Sequence, residues 1–134
     1  MYTKAVLSHT DVASILTAAR AEADRNQWAV SIAVVDDGGH PLALERLDGC
    51  APISAYIAIE KARSAALGRR ESKGYEDMVN GGRTAFLSAP LLTSLEGGVP
   101  VLVDGQVVAA VGVSGVKAEQ DAQVAKAGIA ALSV

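Results

Sequence analysis

Two valine-rich runs on either side of Asp104-Gly105 limit what this chain can become more than any other feature. Val99 to Val103 leads into the pair and Gln106 to Val113 leads out of it. Asp-Gly suits a two-residue type I′ turn, in which both central residues take positive φ and the twist matches that of the flanking strands. The runs must then pair antiparallel. A second β-rich run, Trp28 to Asp36, puts Val30, Ile32 and Val34 on one face and Ala29, Ser31, Ala33 and Val35 on the other. Both faces are largely apolar, so this strand is expected in the middle of a sheet. Asp37-Gly38-Gly39-His40 reads as a turn whose glycines supply positive φ. Pro41 to Leu47 then returns as a partner strand, with Leu42, Leu44 and Arg46 on one face and Ala43, Glu45 and Leu47 on the other.

Helices fill the gaps between these hairpins. Ser8 and Asp11 make a short-armed capping box ahead of Val12, Ile15, Leu16, Ala19 and Ala23 at helical spacing, predicting a helix over about 10–26. Ile53 to about Arg69 reads as a long alanine-rich helix, with Ser54 able to cap it. Lys117 to about Leu132 reads as a last helix, with Glu119 and Asp121 placed where the helix dipole favours acids. Residues 70–98 lack strong periodicity; short helical turns are expected near 75–79 and 84–87. Separate helices with antiparallel strands give an α+β fold rather than a doubly wound sheet. The 134 residues suit one domain, 1–134.

Composition narrows the function classes. With 50% apolar and 20% charged residues the chain is not a disordered segment, and a net charge of −3 argues against nucleic acid or a polybasic membrane contact. No apolar run is long enough to span a bilayer and Met1-Tyr2-Thr3-Lys4 does not open a signal peptide, so a cytoplasmic protein is expected. Cys50 is the only cysteine, which removes a disulfide framework and a cysteine zinc site, and the two histidines lack metal-ligand spacing. No metal site is therefore expected.

Several blocks in fixed order carry a resemblance. The first runs from Val35-Asp36-Asp37-Gly38-Gly39-His40-Pro41 through Glu45-Arg46-Leu47-Asp48-Gly49, with Ser54 and Ala58-Ile59-Glu60-Lys61-Ala62 after it. The second comprises Gly97-Gly98-Val99-Pro100-Val101, Gly112-Val113-Ser114-Gly115, Gln120-Asp121 and Ala125-Lys126-Ala127-Gly128. Together they resemble the GlcG/HbpS family of haem-binding proteins, which is similar to the C-terminal domain of PduO-type proteins. The resemblance implies a profilin-like or PAS-like arrangement, with helices on an antiparallel sheet of about five strands. It also implies a homo-oligomer and haem as a possible cofactor.

Strand alternation turns Arg46 toward the helices, where a guanidinium needs a partner; Asp36 and Asp48 are the candidates. Such an arginine suits either a bidentate clamp for a ligand carboxylate or a structural ion pair. Lys61 lies on or beside the apolar stripe of the long helix, on the side of Ser54, where it is either an anion contact or base, or a chain snorkelling to water. Gly112-Val113-Ser114-Gly115 reads as an anion cradle or as a tight strand-to-helix turn. His9 and His40 read as surface residues, and Cys50 as a small hydrophobe or a thiolate ligand. The expected function is small-ligand binding, of haem or another carboxylate-bearing molecule, between the sheet, the long helix and residues 70–98. Arg46, Lys61, Asp36, Asp48 and Ser54 would line that site. The alternative is a cofactor-independent tautomerase, hydratase or lyase with Arg46 as clamp and Lys61 as base.

Overall fold

Asp104 and Gly105 take φ of 52° and 75°, the positive pair that the type I′ turn requires. This hairpin belongs to a computed structural model that describes residues 1–133. Helix α1 spans His9–Arg25, strand β1 Ser31–Asp36, β2 Pro41–Arg46, helix α2 Ile53–Gly68 and α3 Lys73–Asn80. A 3₁₀ turn at Thr84–Ser88 precedes β3 (Gly98–Val103), β4 (Gln106–Ser114) and α4 (Ala118–Ile129). The sheet is antiparallel throughout, in the order β2-β1-β4-β3. The fold is α+β, with four strands where about five were expected.

The two faces of the sheet differ in how they are covered. Val30, Ile32, Val34, Val111 and Val113 meet Ile15, Ala19, Val124 and Ala125 of α1 and α4. Each large aliphatic fully buried there contributes about 1.5–3 kcal/mol. The other face, with Ala33, Val35 and Ala110, meets chiefly the alanines of α2, with Ile59 beside them. Small side chains on both sides let that helix lie close.

Local chemistry sets the element ends. The Ser8–Asp11 capping box forms in both directions. Ser54, expected as a cap for α2, is not one: Pro52 holds that position, and the Ser54 hydroxyl donates to the Ala51 carbonyl at 2.6 Å. In the first turn of strands only Gly39 uses positive φ, at 81°. The β1–β2 ladder slips between Val34 and Val35: Val34 faces Ala43, but Val35 faces Pro41. The slip is a bulge, and the extra residue is Leu42. Leu42 therefore leaves the face it was expected to share with Leu44 and Arg46. No described helix is long and apolar enough to cross a membrane.

Candidate functional site

Where an interior pocket was expected, α2 lies flush on the sheet among the described residues. A Cβ on Gly112 would stand 2.1 Å from the Ala58 carbonyl oxygen, and one on Gly98 would stand 2.0 Å from that of Lys61. Gly98 and Gly112 are cross-strand partners. They form a flat patch on which the backbone of α2 rests, and nothing the size of a ligand fits beneath it.

Lys61 is 4% exposed and held from two sides. Its ammonium donates to the Val113 carbonyl at 3.0 Å and to Asp121 Oδ2 at 2.9 Å. Asp121 Oδ1 accepts from the Val116 amide at 3.1 Å. One buried ion pair thus ties α2, the end of β4 and the start of α4 together. Burial pushes the Asp121 carboxyl above its ordinary range, against the pull of Lys61 and the Val116 amide. The chain's own acids also answer the cradle reading of Gly112–Gly115. The Val116 and Lys117 amides are taken by Asp121 and Gln120, so no cluster of free donors awaits an anion there.

Ser54 docks on the same face. Its hydroxyl meets Ser31 Oγ at 2.8 Å and Cys50 Sγ at 3.3 Å, and the Cys50 thiol donates to the Leu47 carbonyl at 3.2 Å. This buried polar chain fastens the start of α2 to β1. Cys50 is sealed inside it.

Arg46 departs from expectation. It is exposed, and among the described residues it forms no ion pair. The cause is topological: β2 is an edge strand, and α2 lies chiefly over β4 and β1, so Arg46 stands past the cover. Antiparallel register also pairs Arg46 with Ser31, at the opposite end of β1 from Asp36. Asp36 therefore cannot orient it. Asp48 is exposed and lines a shallow cavity of about 320 Å³ with Asp24, Gln27, Trp28, Ala29 and Leu47. Arg46 and Lys61 are not brought together.

What the structure assembles instead lies at the β1–β2 turn. Asp36 Oδ1 accepts from the Gly38 and His40 amides, each at 2.9 Å, and meets His40 Nδ1 at 3.0 Å. Burial opposes ionisation of Asp36, but the two amides and the imidazole outweigh it and hold its carboxyl below the ordinary range. Beside Asp36 is a cleft of about 300 Å³ lined by Lys4, Ala5, Val6, Leu7, Asp36, Asp37, Leu42 and Val108. Its wall is mainly apolar, because the bulge turns Leu42 into it. Three cations surround the turn. Lys4 pairs with Asp37 at 3.0 Å, Arg69 donates to the Asp37 carbonyl at 2.8 Å, and the Arg63 stem covers Gly39. A Cβ on Gly39 would stand 2.8 Å from Arg63 Cγ, so both contact and φ require glycine.

Sequence reasoning missed Asp121 as the partner of Lys61, having explained it by the helix dipole alone. It also missed Lys4 and Leu42. The one readable signal was the Asp36-x-Gly38-Gly39-His40 spacing, in which a turn folds an acid back onto a histidine four residues on.

Known proteins are similar to this chain in sequence and in fold. The model of a family described as haem degrading protein HbpS-like matches residues 7–130. Protein GlcG of Escherichia coli (strain K12) is 68% identical over 114 residues, 85% of this chain and 85% of its own. A crystal structure of a double mutant of HbpS from Streptomyces reticuli has a TM-score of 0.89 at 30% identity, covering 100% of this chain and 92% of that one. A crystal structure of a PduOC:heme complex has a TM-score of 0.86 at 27% identity, covering 96% of each chain. With matching sequence and matching fold over nearly its whole length, this chain belongs to the HbpS-like family.

Proposed function

We propose that the protein binds haem, or another planar carboxylate-bearing molecule, at the cleft beside the β1–β2 turn. The observation that carries this reading is the cleft itself: an apolar wall of Ala5, Val6, Leu7, Leu42 and Val108, with the Lys4 ammonium in its lining. A ligand with an apolar body and anionic edges needs that combination. The family match and the heme complex formed by a structural relative support haem as the ligand.

The residues present fit such a group. Leu42 and Val6 offer apolar contact and Lys4 offers a donor to a carboxylate, while Arg69 and His40 stand at the neighbouring turn outside the lining. When bound, haem supplies a redox-active iron; the chain supplies ligation, orientation and shielding. At about 300 Å³ the cleft takes part of a haem-sized molecule. Exposed Leu44, Ile53, Tyr56, Leu87 and Leu91 leave apolar surface for a second copy of the chain, consistent with a homo-oligomer. Arg46 stands outside the cleft and contributes less than Lys4. The enzymatic alternative needs Lys61 as a free base, and an ammonium held by two acceptors under α2 does not support it.

Titration of the purified protein with haemin tests the reading. A shifted, saturating Soret band is expected, weakened about tenfold in Lys4→Ala by loss of a charged hydrogen bond. Folded protein that leaves the haemin spectrum unchanged sinks it.

A further inference from the structure

We infer that a second cavity, bordered by the N-terminal segment, the end of α2 and the β3–β4 turn, binds the carboxylate of a small aliphatic acid through Arg69. The cavity measures about 310 Å³ and places Tyr2, Lys4, Arg69 and Gln106 around Leu102 and Val107. Among the described residues no acidic side chain lines it. It is separate from the cleft beside the β1–β2 turn, with which it shares Lys4 alone.

The arginines differ in what occupies them. Arg20, Arg25 and Arg63 pair with Glu45, Glu22 and Glu60. Arg70 lies over the Tyr75 ring and Arg83 over that of Phe86. Arg46 stands on an exposed strand edge. Arg69 is held, but by neutral groups: its Nη1 donates to the Asp37 carbonyl at 2.8 Å and to the Ala66 carbonyl at 2.9 Å. Two carbonyls fix the direction of the guanidinium without neutralising it. Among the described residues its Nε and Nη2 have no acceptor. Those two nitrogens form the edge that grips a carboxylate with two parallel hydrogen bonds.

The backbone also sets Arg69 apart. It follows α2 at a φ of 57°, a left-handed position that favours glycine. A bulky side chain kept at such a position points to a use for that side chain. Lys4 adds a second cation, with its ammonium already paired to Asp37 at 3.0 Å. Asp36, the next acid, is turned to the Gly38 and His40 amides and lines the neighbouring cleft rather than this cavity. The charge that a ligand meets here is therefore that of Arg69. Tyr2 and Gln106 add a hydroxyl and an amide, and Leu102 and Val107 suit a short alkyl chain. One guanidinium among neutral donors suits a singly charged carboxylate better than a phosphate dianion.

Full-length protein labelled with nitrogen-15, free of haemin and titrated with butyrate at constant ionic strength, tests the site by nuclear magnetic resonance. The Arg69 Nε–H and Gln106 side-chain amide signals should shift and saturate. Inorganic phosphate should bind more weakly. Arg69→Gln should weaken butyrate binding at least about tenfold, and Gln106→Leu about threefold, by loss of hydrogen bonds to the carboxylate. Arg46→Ala should bind as the wild type does. Signals that move linearly without saturating overturn the site. Wild-type affinity in folded Arg69→Gln does the same; if that variant does not fold, wild-type affinity in Gln106→Leu does so instead. Saturation by phosphate where butyrate gives none overturns the carboxylate assignment. Each of these failures leaves the haem reading standing, because that reading is judged by the Soret band at a different cleft.

Discussion

The two ends of β1 stand in contrast. At the Ser31 end the α2 face is closed: α2 rests on Gly112, Lys61 is locked to Asp121, and Ser54 is tied to Ser31 and Cys50. At the Asp36 end the sheet opens into a cleft, with an oriented imidazole and three cations around an exposed turn. The closed end holds the most polar buried groups, yet it offers them to nothing outside. Buried charge in a small domain thus marks a fastening as readily as a site, and only the partner count separates the two. The open end has fewer buried polar groups but leaves one nitrogen and an apolar wall unused.

The largest expected effect comes from breaking the closed end. Lys61→Met leaves Asp121 buried without its cation and should cost about 3–5 kcal/mol in denaturant unfolding. Lys61→Met with Asp121→Leu should recover most of that loss, because both charges then leave together. The pH dependence sharpens the point. Asp121 already has a carboxyl raised by burial, and removing Lys61 removes an opposing pull. A raised acid favours the fold below the ordinary carboxylate range, and that contribution is lost as pH rises through the raised value. The deficit of Lys61→Met should therefore shrink on acidification; a deficit that grows instead contradicts the assignment.

Gly112→Ala should come next, at about 3 kcal/mol, because its Cβ meets backbone that cannot move without lifting α2. A Gly112→Ala variant as stable as the wild type would mean that α2 does not sit flush. At the open end, Asp36→Ala should cost about 1 kcal/mol by leaving two turn amides without their acceptor. Its ionised form favours the fold above the ordinary carboxylate range, and that benefit is lost as pH falls through the lowered value. Thermal melts at descending pH should accordingly bring wild type and variant together. Arg46→Ala should change stability by less than about 0.5 kcal/mol, since the side chain is exposed and has no ion-pair partner among the described residues. A larger loss there would show a partner for Arg46 in the assembled protein.

The same contrast explains which readings held. Elements were legible because they rest on local chemistry: the Asp104-Gly105 turn, the Ser8–Asp11 box and the apolar faces of β1 each formed as their residues require. Lys61 and Ser54 were rightly placed on the sheet side of α2, since helical period is local too. Their partners were not legible, because Asp121 lies 60 residues from Lys61 and Ser31 lies 23 from Ser54. Arg46 was misread because period two assigns a face, not whether anything covers that face.

Sequence alone settled that this chain makes antiparallel hairpins with helices between them, and that its long helix is smooth enough to lie against a sheet. Turn residues, caps and alternation act over a few positions and need no distant contact. Tertiary structure decided that the smooth helix would close the interior completely, that β2 would be the edge, and that a one-residue bulge would turn Leu42 into the cleft. Those outcomes depend on strand order and on how close two backbones approach, which are set only when distant segments compete for the same space.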